Sequence, residues 1–239
     1  MARHSASMAF LACLAALSPM SAMAQGEGWQ EIVVTAMRRD ADDYENQMPA
    51  VGLTRRADFA VVGIEVSGDS RDKAQREEEI YAMIRSAIEQ AQRSGVTLAF
   101  GERTLQPLTL ANYRELTLEN DRRPDSQRTG FLIKVALSET RSAADAQADI
   151  TRFVKSVKPV GRALMEESED MTLSLVAPDQ YRGAIADAIA ADAQAMAGRL
   201  GDGYAVQIEG LNRPVEWARS GLSNVFLYVP YTLTVLPRP

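Results

Sequence analysis

The chain has 239 residues, a formal net charge of −6, one cysteine and one histidine. Its lysines are four and scattered, Lys73, Lys134, Lys155 and Lys158, so nothing suggests a nucleic-acid surface or an anionic-membrane surface. Residues 1–24 read as a secretory signal. Arg3 and His4 form a short polar start, Met8 to Leu17 an apolar run, and Ala22-Met23-Ala24 a cleavage site. The run is too short for a permanent membrane helix. Cleavage after Ala24 removes Cys13 and His4 and leaves 215 residues with a net charge of −7. Such a chain has no disulfide, thiolate nucleophile, imidazole base, Ser-His-Asp triad or Cys/His zinc site. Export without disulfides fits a bacterial periplasm, since this length buries a core unaided.

Residues 25–56 form one compositional unit, expected to be an extended, flexible arm. Its adhesive spot is the β-branched hexamer Glu31, Ile32, Val33, Val34, Thr35 and Ala36. Arg38, Arg39, Asp40, Asp42, Asp43 and Glu45 follow it, then Pro49 and Gly52, with no sustained period.

The folded domain is expected over 57–239. Phe59 to Ser67 reads as a strand closed by Gly68-Asp69. From Lys73 to Arg93, Ile80, Met83, Ile84, Ala87, Ile88 and Ala91 recur at helical spacing, with Gly95 as the stop. Strands are expected over about Thr104 to Leu118, broken at Pro107, and over Gly130 to Ser138, with a long polar loop between. In the second, Phe131, Ile133, Val135 and Leu137 take one face and Leu132, Lys134 and Ala136 the other. Thr140 or Ser142 starts a helix carrying Ala146, Ile150, Phe153, Val154 and Val157, with Ser142 and Asp145 resembling a capping box.

Met171 to Val176 alternates as a short strand, and Pro178 introduces a helix over Gln180 to Leu200. The expected buried stripe of that helix is Tyr181, Ala184, Ile185, Ala188, Ala191, Ala195 and Met196. Tyr204 to Glu209 is a strand, and Asn224 to Leu236 reads as one long strand with Pro230 at an edge or bulge. The sum is an α+β fold with mixed or antiparallel sheets and packed helices on one side.

Neither the G-x-G-x-x-G nor the G-x-x-x-x-G-K-[ST] pattern occurs, so Gly63, Gly68 and Asp69 read as a strand-end turn rather than a nucleotide site. Asp40, Asp42 and Asp43 lack the glycine and terminal glutamate of a calcium loop, and Glu166 to Asp170 reads as a solvated charge run. A two-carboxylate hydrolase needs no histidine or cysteine, but no acidic pair is marked as buried or opposed. Trp217 and Tyr228 read as packing residues; Trp29 lies in the arm, where a core explanation is weaker. An exposed β-branched segment can lend its backbone to a partner's sheet edge, with Ile32 and Val34 facing one way and Val33 and Thr35 the other. The alternative is that the hexamer adds a strand to its own domain or remains disordered.

Two resemblances sharpen this reading. Glu31 to Arg39, `EIVVTAMRR`, resembles the TonB box at the mature amino terminus of TonB-dependent outer-membrane receptors. That resemblance implies strand addition to the periplasmic domain of TonB. It stops there, because 215 residues cannot supply a plug and a 22-stranded barrel. The stretch from about Phe59 to Val235 resembles the SIMPL (DUF541) domain family of exported bacterial proteins. The match rests on `VVGIEVSGDSRDKAQ`, on Met171 to Leu211, and on the closing `VFLYVPYTLTV`. The family's opening G-x-G strand before a Pro-Asp pair is not evident ahead of Phe59. This resemblance implies an envelope location, two α/β halves, ring-forming oligomers in some members, and no catalytic residues to carry over.

The expectation is therefore a non-enzymatic periplasmic binding or accessory protein, with association to the outer membrane as a further option. It has no catalytic, cofactor or metal site and no membrane span after signal cleavage. Its partner-binding segment is Glu31 to Ala36, directed at TonB. The alternative is a structural homo-oligomer of the cell envelope whose arm swaps between subunits.

Overall fold

The computed structural model describes residues 31–34, 48–101, 104–121 and 123–238. The expected signal peptide, Trp29 and the Asp40 to Asp43 cluster lie outside them.

Helices form where large apolar residues recur at helical spacing. Helix α1, Lys73–Ser94, buries Ile80, Met83, Ile84, Ala87, Ile88 and Ala91. The Asp72 carboxylate accepts the Gln75 N–H at 2.8 Å at its start, and Gly95, at φ 66, ends it in the left-handed region. Helix α2, Ala143–Ser156, opens on a full capping box between Ser142 and Asp145. Helix α3, Arg182–Leu200, buries Ile185, Ile189 and Ala193. This corrects the expected stripe, since Ala184, Ala191 and Ala195 are exposed. In an alanine-rich helix every face is similarly small, and two isoleucines one turn apart decide the phase.

Thirteen strands are described: β1 Glu31–Val34, β2 Leu53–Arg56, β3 Phe59–Gly68, β4 Thr97–Phe100, β5 Gln106–Pro107, β6 Glu119–Asn120, β7 Gln127–Ala136, β8 Leu164–Glu167, β9 Thr172–Val176, β10 Tyr204–Glu209, β11 Glu216–Arg219, β12 Asn224–Tyr228 and β13 Thr232–Pro237. The main sheet runs β1-β9-β3-β7-β4-β5, with β6 added to β7 and β8 to β3. Its ladders are antiparallel. Strands β8 and β9 share one flank of β3, β8 beside Ile64–Ser67 and β9 beside Phe59–Val61. Two smaller sheets complete the fold, β10-β13 and β11-β12-β2.

Strand parity divides the main sheet into two faces. On one, Ala60, Val62, Ile64 and Val66 of β3 and Phe131, Ile133 and Val135 of β7 pack with the buried stripes of α1 and α2. Further along that face, Leu173 and Leu175 of β9 pack with Ile185 and Ile189 of α3. All three helices thus cover one side of the sheet. The fold is α+β, built on a mostly antiparallel, curled sheet.

Three expectations change. The supposed arm over 25–56 contributes two strands to the body: β1 pairs with β9, and β2 pairs with β12. Position 56 is therefore not where the folded unit begins. The strand expected over 104–118 shrinks to Gln106–Pro107 followed by a 3-10 turn at Tyr113–Glu115, while β4 lies just before it. The long C-terminal strand is cut at Pro230 into β12, which joins β11 and β2, and β13, which joins β10. Proline has no N–H for a ladder, so the break lets each half choose its own partner.

The phase of α3 gives a direct stability contrast. Ile189→Ala, at a fully buried site, should cost about 2–5 kcal/mol in urea unfolding. Ala191→Ser, on the exposed face, should stay within about 0.5 kcal/mol of the parent.

Candidate functional site

The hexamer singled out in the sequence is split by the structure. Glu31 to Val34 form β1, whereas Thr35 and Ala36 lie outside the described residues. Strand β1 is docked in cis, with Glu31 opposite Val176, Ile32 opposite Leu175, Val33 opposite Ser174 and Val34 opposite Leu173. Its other edge meets the chain after β4: the Leu105 N–H donates to the Glu31 carbonyl at 3.3 Å, and Ile32 forms a bridge with Thr104. Because backbone groups alternate along a strand, that contact turns the Ile32 and Val34 backbone groups toward β9.

Gly101, just after β4, takes a backbone conformation that favours glycine. Gly101 has φ 120, and a Cβ there would lie 2.3 Å from the Thr104 carbonyl oxygen. No L side chain fits that position without moving the backbone that meets β1.

Side chains on the two faces of β1 do different things. Ile32 is buried among Leu173, Leu175, Ile185 and Val215 on the helix-covered side. Glu31 points to the opposite side, where its Oε1 accepts from Ser174 Oγ at 2.6 Å and its Oε2 pairs with Lys134 Nζ. The Lys134 ammonium also lies 4.2 Å from the centre of the Phe59 ring. The ion pair is enclosed, with side-chain exposures of 7% for Lys134 and 14% for Glu31, and Ser174 is fully buried.

This pairing reports the shape of the sheet. Lys134 is on β7, and β7 reaches β1 only through β3 and β9. On a flat sheet three strand steps separate backbones by about 14 Å. A direct ion pair across that span requires strong curling, and the Leu105 contact shows β1 approaching the far side of the sheet. Strand β1 thus brings the two ends of the curled sheet together.

Sequence reasoning found Glu31 to Val34 but missed Lys134, Ser174, Phe59 and Leu105. One signal was present for Lys134: it is the charged residue among Leu132 and Ala136 on one face of an apolar strand, where a buried ammonium requires a partner.

The other sequence candidates have quieter settings. Gly68-Asp69 forms the turn into α1, and both Asp69 oxygens accept from Arg162, at 2.6 and 2.8 Å. That hydrogen-bonded arginine holds the Asp69 carboxyl below its ordinary range. Asp69 and Arg162 line a cleft of about 550 Å³ with Ser70, Arg71, Asp72 and Gln75. A second cleft, of about 470 Å³, gathers Glu65, Glu119 and Glu169, with Arg128 bonded to Glu65 at 3.0 Å. Glu119 and Glu169 are exposed. Glu166 and Glu167 belong to β8 and are exposed, and Trp217 is in β11, packed against the core around Leu175 and Leu227. Phe226 and Tyr228 stack at 5.7 Å. Among the described residues no cluster of His, Cys, Asp or Glu has metal-binding spacing, and no helix is long and apolar enough to cross a membrane.

Comparison with protein-family models, with curated proteins and with solved structures gives no match.

A double-mutant cycle reads the ion pair. Glu31→Gln or Lys134→Met alone should each cost about 3 kcal/mol in urea unfolding, because each leaves a buried partner unmatched. The double mutant should cost at least about 1 kcal/mol less than the sum; strict additivity would show that the pair contributes nothing.

Proposed function

We propose that this chain is a non-enzymatic binding protein of the bacterial envelope, with β1 as its recognition strand. Residues 31–34 are stored in cis on β9 and delivered to the sheet edge of a partner, the periplasmic domain of TonB. The observation that carries the reading is the way β1 is attached. It is a four-residue strand, laddered to β9, and separated from β2 by the 18 residues 35–52. A ladder this short contributes on the order of a few kcal/mol. Of β1, Ile32 is the residue that enters the core beneath α3, so departure of β1 from β9 removes one side chain from that core and leaves the core beneath α1 and α2 untouched.

The backbone of β1 already has strand geometry, which suits recognition by strand addition. Its cis position adds a condition: partner binding competes with β9, Leu105 and Lys134 for the same segment. Storage on the protein's own sheet also covers a β-branched edge that would otherwise promote aggregation. Nothing in this scheme needs imidazole, thiol or metal chemistry. The `EIVVTAMRR` resemblance to the TonB box supplies the choice of partner.

Titrating isotopically labelled TonB C-terminal domain with the chain and two variants tests the scheme. Val34→Pro removes a backbone donor that β9 and a partner would both use, so it is compared in the Lys134→Met background, where the cis anchor is already absent, and should there weaken binding by about tenfold or more, equivalent to about 1.4 kcal/mol. Lys134→Met leaves the segment intact but removes its cis anchor, so it should tighten binding. Indistinguishable binding by all three chains would reject strand addition through residues 31–34.

A further inference from the structure

An edge strand is open to pairing with another chain unless charge or proline protects it. Edges of the three sheets are guarded in this way: Arg55 lies on β2, Pro107 on β5, Glu119 on β6, Glu166 on β8 and Glu216 on β11. Strand β13, `TLTVLP`, carries no charge, and its one proline is its last residue. It belongs to a two-stranded ribbon that rests on α3 through β10. Five of its six residues are exposed, Leu233 being the half-buried one.

The hydrogen bonding of the ribbon shows what that edge offers. The Arg238 N–H donates to the Gly203 carbonyl at 2.8 Å, one pair beyond Tyr204 and Pro237. Backbone groups alternate along an antiparallel ladder, so those of Thr232, Thr234 and Leu236 turn to β10, while those of Leu233 and Val235 turn outward. Pro237 falls on the outward parity, where its missing N–H costs the ladder nothing. Among the described residues no strand pairs with the outward groups. Leu233 and Val235 stand opposite Ile208 and Val206, and Ile208 packs with the core of Ile185 and Ile189 on α3. They therefore share the helix-covered face, yet Val235 remains 38% exposed.

We propose that β13 is a homodimer interface, pairing antiparallel with β13 of a second copy about a two-fold axis at Thr234. The occupant follows from self-complementarity, which a contact between identical surfaces demands. With Thr234 on the axis, Leu233 of each copy faces Val235 of the other. Both residues present outward backbone groups, so the two pairs exchange four hydrogen bonds, and no bond calls on the N–H that Pro237 lacks. Their side chains extend the apolar, helix-covered face across the seam. On the other face Thr234 meets Thr234 of the second copy, a favourable cross-strand pair. The product is a four-stranded sheet with α3 of both copies on one side. Two chains of net charge −6 repel each other, and β13 gives them an edge free of charge on which to meet. This interface is independent of β1, so a failure of TonB binding leaves it standing.

Light scattering of the full chain over a range of concentrations should show a monomer–dimer equilibrium. Val235→Pro removes an outward N–H while sparing the β10 ladder, and should raise the dimer dissociation constant about tenfold or more. Val235→Lys supplies the charge this edge lacks and should act in the same direction, which keeps the test open if the proline variant fails to fold. The register is read by oxidation in a Cys13→Ser background. Thr234→Cys places two thiols at a closely spaced pair, with Cα atoms about 4.5 Å apart, and should give a disulfide-linked dimer. Thr232→Cys, which faces Leu236 of the second copy, should stay reduced. A parent that remains monomeric up to about 1 mM, a dimer unmoved by both Val235 variants, or equal crosslinking at 232 and 234 overturns the proposal.

Discussion

Glu31 and Lys134 meet across a sheet in which two strands lie between theirs. Taking an ammonium out of water is tolerable only with a close opposite charge and satisfied hydrogen bonds. Lys134 obtains these from Glu31, with the Phe59 ring beside it, and Glu31 is further held by Ser174. The side chains reach only if the sheet curls, and the curl also brings Leu105 against β1. Sheet shape, the position of the first strand and the only enclosed ion pair among the described residues are therefore one constraint.

Around that constraint the hydrophobic cores divide the labour. Strands β3, β7 and β4 with α1 and α2 form a large core that does not include β1. Strand β9, α3 and the β11-β12-β2 sheet form another, into which Ile32 inserts. The first strand thus borrows a place at the margin of an existing core. An element placed this way has lower local stability than the body that holds it, which is the general location of segments that move in function.

Legibility in the sequence follows element length and residue size. Helix α1 was readable because six apolar residues, Ile80 to Ala91, repeat over about three turns, and α2 because Ser142 and Asp145 announce its start. Strand β7 alternates over ten residues and is likewise clear. Strands β4, β8 and β11 have four residues each, too few to establish a period. Pro230 could mark a bulge or a break, and only the partners of β12 and β13 decide for a break. The hexamer was visible as a pairing segment, but its partner in cis lies about 140 residues downstream, where composition and periodicity carry no information on contact. Lys134 shows the same limit: its position on an apolar strand indicated a need for charge without indicating that residue 31 supplies it.

The central claim is that β1 sits on β9 of its own chain in the register that joins Glu31 to Lys134. Val33 and Ser174 are direct partners in that register, of the closely spaced kind with Cα atoms about 4.5 Å apart, within disulfide range. The decisive measurement is oxidative crosslinking at low protein concentration of a chain carrying Val33→Cys, Ser174→Cys and Cys13→Ser, read by peptide mass spectrometry and light scattering. The account predicts a monomer in which positions 33 and 174 are joined. Thiols that stay free, or links formed only between chains, would contradict it.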